Sequence, residues 1–199
     1  TPAAKRFLAE ADRRIDRFFA ERRNRRLPRY IPCDPLLVYS ALHYIAKNDL
    51  ALGNRFCEWG SGFGVCAGLA SQLGYETYAI EIEPELHRLA ETLAKDLAID
   101  AQFINASYLP EGFDSYEEQG GHRLMPPPGH ERRRASLNYS LRYEDMDHEI
   151  EEIDLFYVYP WPEEQDLLLE LFDAVAAEDA LLLAYFAPDD LHLYRKTLD

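Results

Sequence analysis

Apolar positions along the chain switch between two periods. In residues 3–23 Phe7, Ile15, Phe18 and Phe19 fall among charged residues at helical spacing, which predicts an amphipathic helix ended ahead of Pro28 and Pro32. A second helix follows, with Leu36, Leu37, Ser40, Ala41, Tyr44 and Ile45 on its apolar side. Then come short apolar runs divided by helical stretches. "NRFCEW" reads as a strand and "GVCAGLASQLG" as a helix closed by Gly74. "YETYAIEI" is a strand, "PELHRLAETLAKDLA" a helix with proline in its first turn, and "AQFIN" a short strand. "IDLFYVY" and "ALLLAYF" are buried strands on either side of the helix "EEQDLLLELFDAVAA".

Strands alternating with helices of this length predict an α/β, Rossmann-like three-layer sandwich. Its sheet is mostly parallel, helices cover both faces, and residues 1–50 add an N-terminal helical arm. The 199 residues suffice for one domain spanning 1–199. In such sheets ligands bind beyond the carboxyl ends of the strands. The segments to search are therefore 60–64, 81–84, 105–108 and 159–162.

Composition narrows the class. With 47% hydrophobic and 29% charged residues, the chain reads as globular rather than disordered. No apolar run is long enough to span a membrane, and the charged N-terminus lacks the apolar core of a signal peptide. Cys33, Cys57 and Cys66 form no C-x-x-C pair, which argues against a disulfide framework or zinc site and fits a reducing cytoplasm. His122, His130 and His148 lack metal-ligand spacing, so no metal site is expected.

Charge is unevenly placed. Residues 1–30 hold ten Lys/Arg against four Asp/Glu, a balance of +6, whereas the rest holds 11 against 32, a balance of −21. An acidic body argues against a nucleic-acid partner. The basic arm is read as a helix docking Phe7, Ile15, Phe18 and Phe19, its arginines solvated or paired to the acidic body.

"FCEWGSGFGV" carries the first candidate chemistry. Gly60, Gly62 and Gly64, between a strand and a helix, permit a sharp turn that a ligand can approach closely. The dinucleotide fingerprint needs its third glycine at position 65, which is Val65, so the spacing argues against a nicotinamide-dependent oxidoreductase. Glu58 would repel a pyrophosphate but suits a ligand bearing an ammonium and a sulfonium. Glu81, at the end of the second strand, is placed to accept hydrogen bonds from ribose hydroxyls. Glu83 sits in Glu-Pro-Glu at a helix start, where an acid suits the helix dipole.

Together "EWGSGFG" and "YAIEIEPEL" resemble motif I and the acidic-loop motif of the class I S-adenosylmethionine-dependent methyltransferases, and the likeness extends over roughly residues 53–187. The resemblance implies a cofactor, S-adenosylmethionine. Gly60, Ser61, Gly62 and Gly64 would lie beside its methionine part and Glu58 near its amino group. Glu81 would bind the ribose and Ile82 would pack on the adenine. Asn105 and Ala106 fall where the family often has "GDA", so the Asn105 amide would meet the adenine edge.

"YPWP" faces the acceptor in this family and is also similar to the "DPWP" of tRNA guanine methyltransferases, with Tyr159 in place of the acid and Glu163 and Glu164 following. Tyr159 and Trp161 are catalytic-side candidates, and Asp154, at the start of its strand, is read as cofactor-side support. If the acceptor is a protonated amine, Tyr159, Asp154 or Tyr108 would take or relay the proton. "RYIPCDPLL" resembles the segment that some protein-lysine methyltransferases place over the cofactor, which makes Tyr30, Pro32 and Asp34 pocket-closing candidates. Asp34 as a helix cap ahead of Pro35 explains the same residues without a ligand. The acceptor is expected to be a small molecule or a protein side chain. An RNA methyltransferase and a non-catalytic interaction protein with this fold stay open.

Residues 107–150 are far longer than a usual α/β connection and are expected to form an insertion or lid. "APDDLHLYRKTLD" is too short for the helix and two strands that usually complete this sheet. A shortened sheet, strands from 114–145 or a cut C-terminus would each account for that. The insertion or a second copy of the chain, in a homo-oligomer, would then cover the exposed edge.

Overall fold

The computed structural model describes residues 1–21, 30, 32–110, 113 and 142–197. Most of the expected 107–150 insertion thus lies outside the described residues.

Helix α1 (Pro2–Glu21) and helix α2 (Pro35–Lys47) precede an alternating α/β run. Its elements are β1 (Arg55–Trp59), α3 (Val65–Gln72), β2 (Glu76–Ile80), α4 (Pro84–Asp96), β3 (Ala101–Ile104), β4 (Leu155–Val158), α5 (Gln165–Val175), β5 (Leu181–Ala187) and β6 (Asp190–Arg195). They form a six-stranded sheet in the order β3-β2-β1-β4-β5-β6. Strands β1 to β5 pair in parallel, and β6 returns antiparallel on β5. The strand alternation seen in the sequence thus yields the expected architecture.

Alternation within each strand explains the two-sided core. Phe56, Leu155, Tyr157, Leu181 and Leu183 pack with Val38, Leu42 and Ile45 of α2 and Cys66 and Ala70 of α3. Their neighbours Cys57, Trp59, Phe156, Val158 and Leu182 pack with Leu168, Leu171 and Phe172 of α5. Continuous apolar strands are what a sheet covered on both faces needs.

Helix α1 docks as its pattern predicts. Phe7 is 3% exposed, and Ala4, Phe7 and Ala11 meet Leu69 of α3 and Leu93 of α4. Phe18 is buried against Phe63 and Leu86, whereas Phe19 keeps 38% of its surface. Burying a phenylalanine this fully contributes about 2–3 kcal/mol. Arg14 bonds both Glu10 (2.7 Å) and Asp96 of α4 (2.7 Å), so one arginine of the arm pairs with the acidic body.

Among the described residues, the sheet carries one antiparallel strand, β6, beside β5. "DLHLYR" reaches β5 through a two-residue turn, Pro188 and Asp189, with Asp189 at φ 63°. Among the described residues, no helix is long and apolar enough to cross a membrane, and no cluster of His, Cys, Asp and Glu could hold a metal ion.

Candidate functional site

The chain runs β1, β2, β3 outward and then returns to β4 on the other side of β1. Such a reversal opens a crevice at the carboxyl ends of the strands. The ends of β1, β2, β3 and β4 therefore bring Gly60–Gly64, Glu81–Glu83, Asn105–Ala106 and Tyr159–Trp161 to one edge.

The glycine loop holds a conformation that its sequence selects. Gly60, Gly62 and Gly64 have φ of 76°, 56° and 72°, a region that side chains with a Cβ seldom enter. A Cβ on Gly64 would also fall 2.6 Å from the Phe103 ring, and one on Gly62 would fall 3.0 Å from the Tyr30 ring. Gly60 N and Ser61 N both donate to Ile80 O at 2.9 Å, which fastens the loop to the end of β2.

The buried Glu81 completes this attachment. One carboxylate oxygen accepts from Gly62 N at 2.7 Å and the other from Glu83 N at 2.8 Å. Asn105 continues the chain of bonds from β3, its Nδ2 donating to Glu81 O at 2.7 Å and Ile82 O at 3.2 Å. Three strand ends are thus tied in series. The Asn105 amide nitrogen, expected at an adenine edge, is committed to main-chain carbonyls, which leaves Oδ1 as its remaining polar atom. Ile82 stands out from the β2 turn with 60% of its surface exposed. Ala106 packs at the rim of the α5-side core.

Glu58 is 4% exposed, on the α3 face of β1. Its Oε2 accepts from Ala67 N, in the first turn of α3, at 2.8 Å. Burial, with the neighbouring Cys33 and Glu81, pushes its carboxyl well above the usual range. A buried acid bonded to a single amide is left with acceptor capacity that a cationic group would use. The Ser61 hydroxyl, also buried, has no hydrogen-bond partner among the described residues.

Tyr30 lies on Gly62 and packs its ring edge-on to Phe63, with centroids 5.0 Å apart. Burial is the main cause that raises its phenol pKa. Asp34 caps α2 instead of facing a pocket, its Oδ1 accepting from Leu36 N (2.9 Å) and Leu37 N (3.3 Å) ahead of Pro35. Pro32 is exposed.

At the end of β4, Tyr159 packs on Tyr185 with ring centroids 4.7 Å apart. Burial, then Tyr185, raises the pKa of Tyr159. Trp161 starts the short turn 162–164, its carbonyl accepting from Glu164 N at 2.8 Å. The Tyr108 carbonyl accepts from the Tyr143 hydroxyl.

Asp154 does not join this group, which corrects its expected role. It precedes β4 at the amino edge of the sheet, where Oδ2 accepts from Arg55 N at 3.0 Å and its own N–H donates to Arg55 O at 3.0 Å. The four residues of β4 lie between it and Tyr159, five steps of about 3.3 Å that put the two about 16 Å apart. It fixes the start of β1 and is too far away to touch an acceptor at the other end.

Two features of the site were not singled out in the sequence. Tyr185 abuts Tyr159, and the Cys33 sulfur approaches to 3.4 Å that of Cys66, in the first turn of the helix after the glycine loop. Alternation in β5 places Tyr185 on the α2 face, but nothing in the spacing of the cysteines pairs them. A separate groove of about 530 Å³ is lined by α1 and α4 alone and includes none of the strand-end residues.

No protein-family model and no curated protein matches the sequence. Solved structures do resemble the fold. An RNA methyltransferase from Salinibacter ruber in complex with S-adenosyl-L-homocysteine superposes with a TM-score of 0.51 at 16% identity, over 80% of this chain and 84% of that one. A methyltransferase from Geobacter sulfurreducens gives 0.52 at 12% identity, over 88% and 72%. An O-methyltransferase from Bacillus cereus, also in complex with S-adenosyl-L-homocysteine, gives 0.51 at 10%, over 92% and 66%. At these identities the likeness is one of fold. The chain has the Rossmann-like fold of the class I S-adenosylmethionine-dependent methyltransferases.

Proposed function

We propose that the protein binds S-adenosylmethionine at the carboxyl ends of β1, β2 and β3 and transfers its methyl group to a small molecule or a protein side chain. The observation that carries this reading is the placement of Glu81, joined to the Gly62 amide on one side and adjoining the exposed Ile82 on the other. The residues fit the group. Glu58 offers a buried acid for an ammonium, Ser61 an unpartnered hydroxyl, Glu81 further lone pairs for ribose hydroxyls, and Ile82 an apolar face for a base.

When bound, the cofactor supplies an already activated methyl group. The chain's own contribution is to hold donor and acceptor aligned and to exclude water. The glycine loop, tied to β2 by Gly60, Ser61 and Gly62, is a rigid floor for that task. Tyr159 and Trp161 lie on the acceptor side, and Tyr159 would take or pass on a proton if the acceptor were an amine. The net charge of −15 supports a small-molecule or protein acceptor over nucleic acid.

The position of Asp154 favours a second reading, cofactor binding without transfer. With Asp154 at the far edge, Tyr159 is left as the titratable candidate from β4. Incubation with radiolabelled S-adenosylmethionine and fractionated cell extract tests both readings. Label entering a protein or small-molecule fraction supports transfer, label in RNA corrects the acceptor class, and binding with no label transferred supports the second reading.

A further inference from the structure

The Cys33 and Cys66 sulfurs lie 3.4 Å apart, held by segments 33 residues distant in sequence. Cys66 is in the first turn of α3 and is 2% exposed, while Cys33 is half-buried, between Tyr30 and the start of α2. The Tyr157 hydroxyl lies beside both sulfurs, and Glu58 lies nearby. Among the described residues, Tyr157 Oη is buried with no hydrogen-bond partner of good geometry. Cys57 faces the opposite side of the sheet among the α5-side core residues.

From this juxtaposition we propose that Cys33 and Cys66 form a reversible disulfide, a redox modification site that fastens the segment bearing Tyr30 to the helix behind the glycine loop. The thiols need close by little more than an ångström to reach bonding distance, about 2.05 Å. The more exposed Cys33 is the sulfur an oxidant meets first, and the adjacent Cys66 thiol lowers its pKa. With hydrogen peroxide as oxidant, the Cys33 thiolate attacks one peroxide oxygen and breaks the O–O bond. This leaves a sulfenic acid and, after protonation of the departing hydroxide, water. The Cys66 sulfur then displaces hydroxide from the sulfenic sulfur, its proton completing a second water. Two thiols lose two electrons and two protons to one peroxide. A thiol reductant reverses the bond by exchange.

The bond would fix Tyr30 over Gly62, and this second part of the proposal rests on the cofactor reading. The experiment treats the whole purified chain with stoichiometric peroxide, maps its peptides without reduction, and titrates S-adenosylhomocysteine into the reduced and oxidised forms. The expected map shows a Cys33–Cys66 peptide, lighter by two hydrogens, with Cys57 free and the link lost in dithiothreitol. Cys33→Ser should abolish the link and Cys57→Ser should retain it. A Cys57 crosslink, or sulfinic acid at Cys33 with no crosslink, overturns the proposal even if a variant fails to fold, because the map uses the wild type. A change in Kd of about threefold or more on oxidation, absent in Cys33→Ser, supports coupling to the loop, and an unchanged Kd overturns that coupling. Reduced protein that binds no S-adenosylhomocysteine sinks the cofactor reading and leaves the map to decide the disulfide.

Discussion

The carboxylate of Glu81 accepts the amide hydrogen of Gly62 at 2.7 Å, so the acid ending β2 holds the loop that follows β1. The bond explains why an acid is buried at a strand end, since the loop amide and the amide of Glu83 take the place of water. Glu81→Ala should therefore do two things at once. It should weaken S-adenosylhomocysteine binding by about 100-fold and, by leaving the buried Gly62 amide unpaired, lower stability by about 1–3 kcal/mol. Calorimetry and urea unfolding separate the two effects. Glu81→Gln, which keeps an acceptor for one amide, should recover part of the stability and little of the affinity.

Gly62→Val meets a second constraint. Valine at φ 56° is strained, and its Cβ would press on Tyr30. Backbone strain of this kind costs about 1–3 kcal/mol. The loss should appear as a lower urea midpoint together with loss of measurable ligand heat. Gly60→Ala, where nothing lies within 4 Å of the new Cβ, should show the backbone strain alone and the smaller loss of affinity.

Glu58 sets a pH dependence whose sign can be worked out. Its folded carboxyl is raised above the unfolded value by burial, so between the two the native state holds more protons than the unfolded state. Its contribution is then fully present below the unfolded value, near the ordinary 4.5, and is lost as pH rises toward the folded value. Glu58→Gln can keep an acceptor for the Ala67 amide without the charge. The variant should be more stable than wild type at pH 8, with the gain shrinking toward pH 4, and it should bind S-adenosylmethionine more weakly. Urea midpoints across that range, equal for both proteins, would refute it.

Asp154 and Tyr159 should separate structure from chemistry. Asp154→Ala removes the acceptor for Arg55 N at the amino edge and should cost about 1–3 kcal/mol with ligand affinity unchanged. Tyr159→Phe keeps the packing on Tyr185 and should leave affinity and stability nearly intact. For an amine acceptor it should slow transfer by about 100-fold. Equal effects of the two variants on transfer would contradict the placement of Asp154 away from the site.

Much of the fold was legible because period and punctuation agree. Val65–Gln72 and Pro84–Asp96 form within the stretches expected from the glycine and proline signals, and apolar strands such as LFYV mark a sheet buried on both faces. Strand β6 was missed because "DLHLYR" is half-exposed and polar, and its pairing depends on a turn at Pro188–Asp189 rather than on an apolar run. The meeting of the glycine loop with Glu81 at one edge was legible because strand ends converge in any sheet of this topology. Asp154 does stand at the start of its strand, as expected, and its role is corrected because the start of a parallel strand lies at the amino edge, away from the site. The bracing of the β2 turn by the Asn105 amide nitrogen was not legible, since it depends on a short side chain there reaching the main-chain carbonyls of Glu81 and Ile82. The meeting of Cys33 and Cys66 depends on how α2 lies on α3, which no local pattern encodes.

The most direct test is a calorimetric titration of the purified chain with S-adenosylhomocysteine, set beside the same titration of Glu81→Ala. One-to-one binding at micromolar Kd by the wild type, lost in the variant while it remains folded, is the predicted result. No heat from the folded wild type, or equal binding by both proteins, would contradict a cofactor site at the ends of β1 and β2.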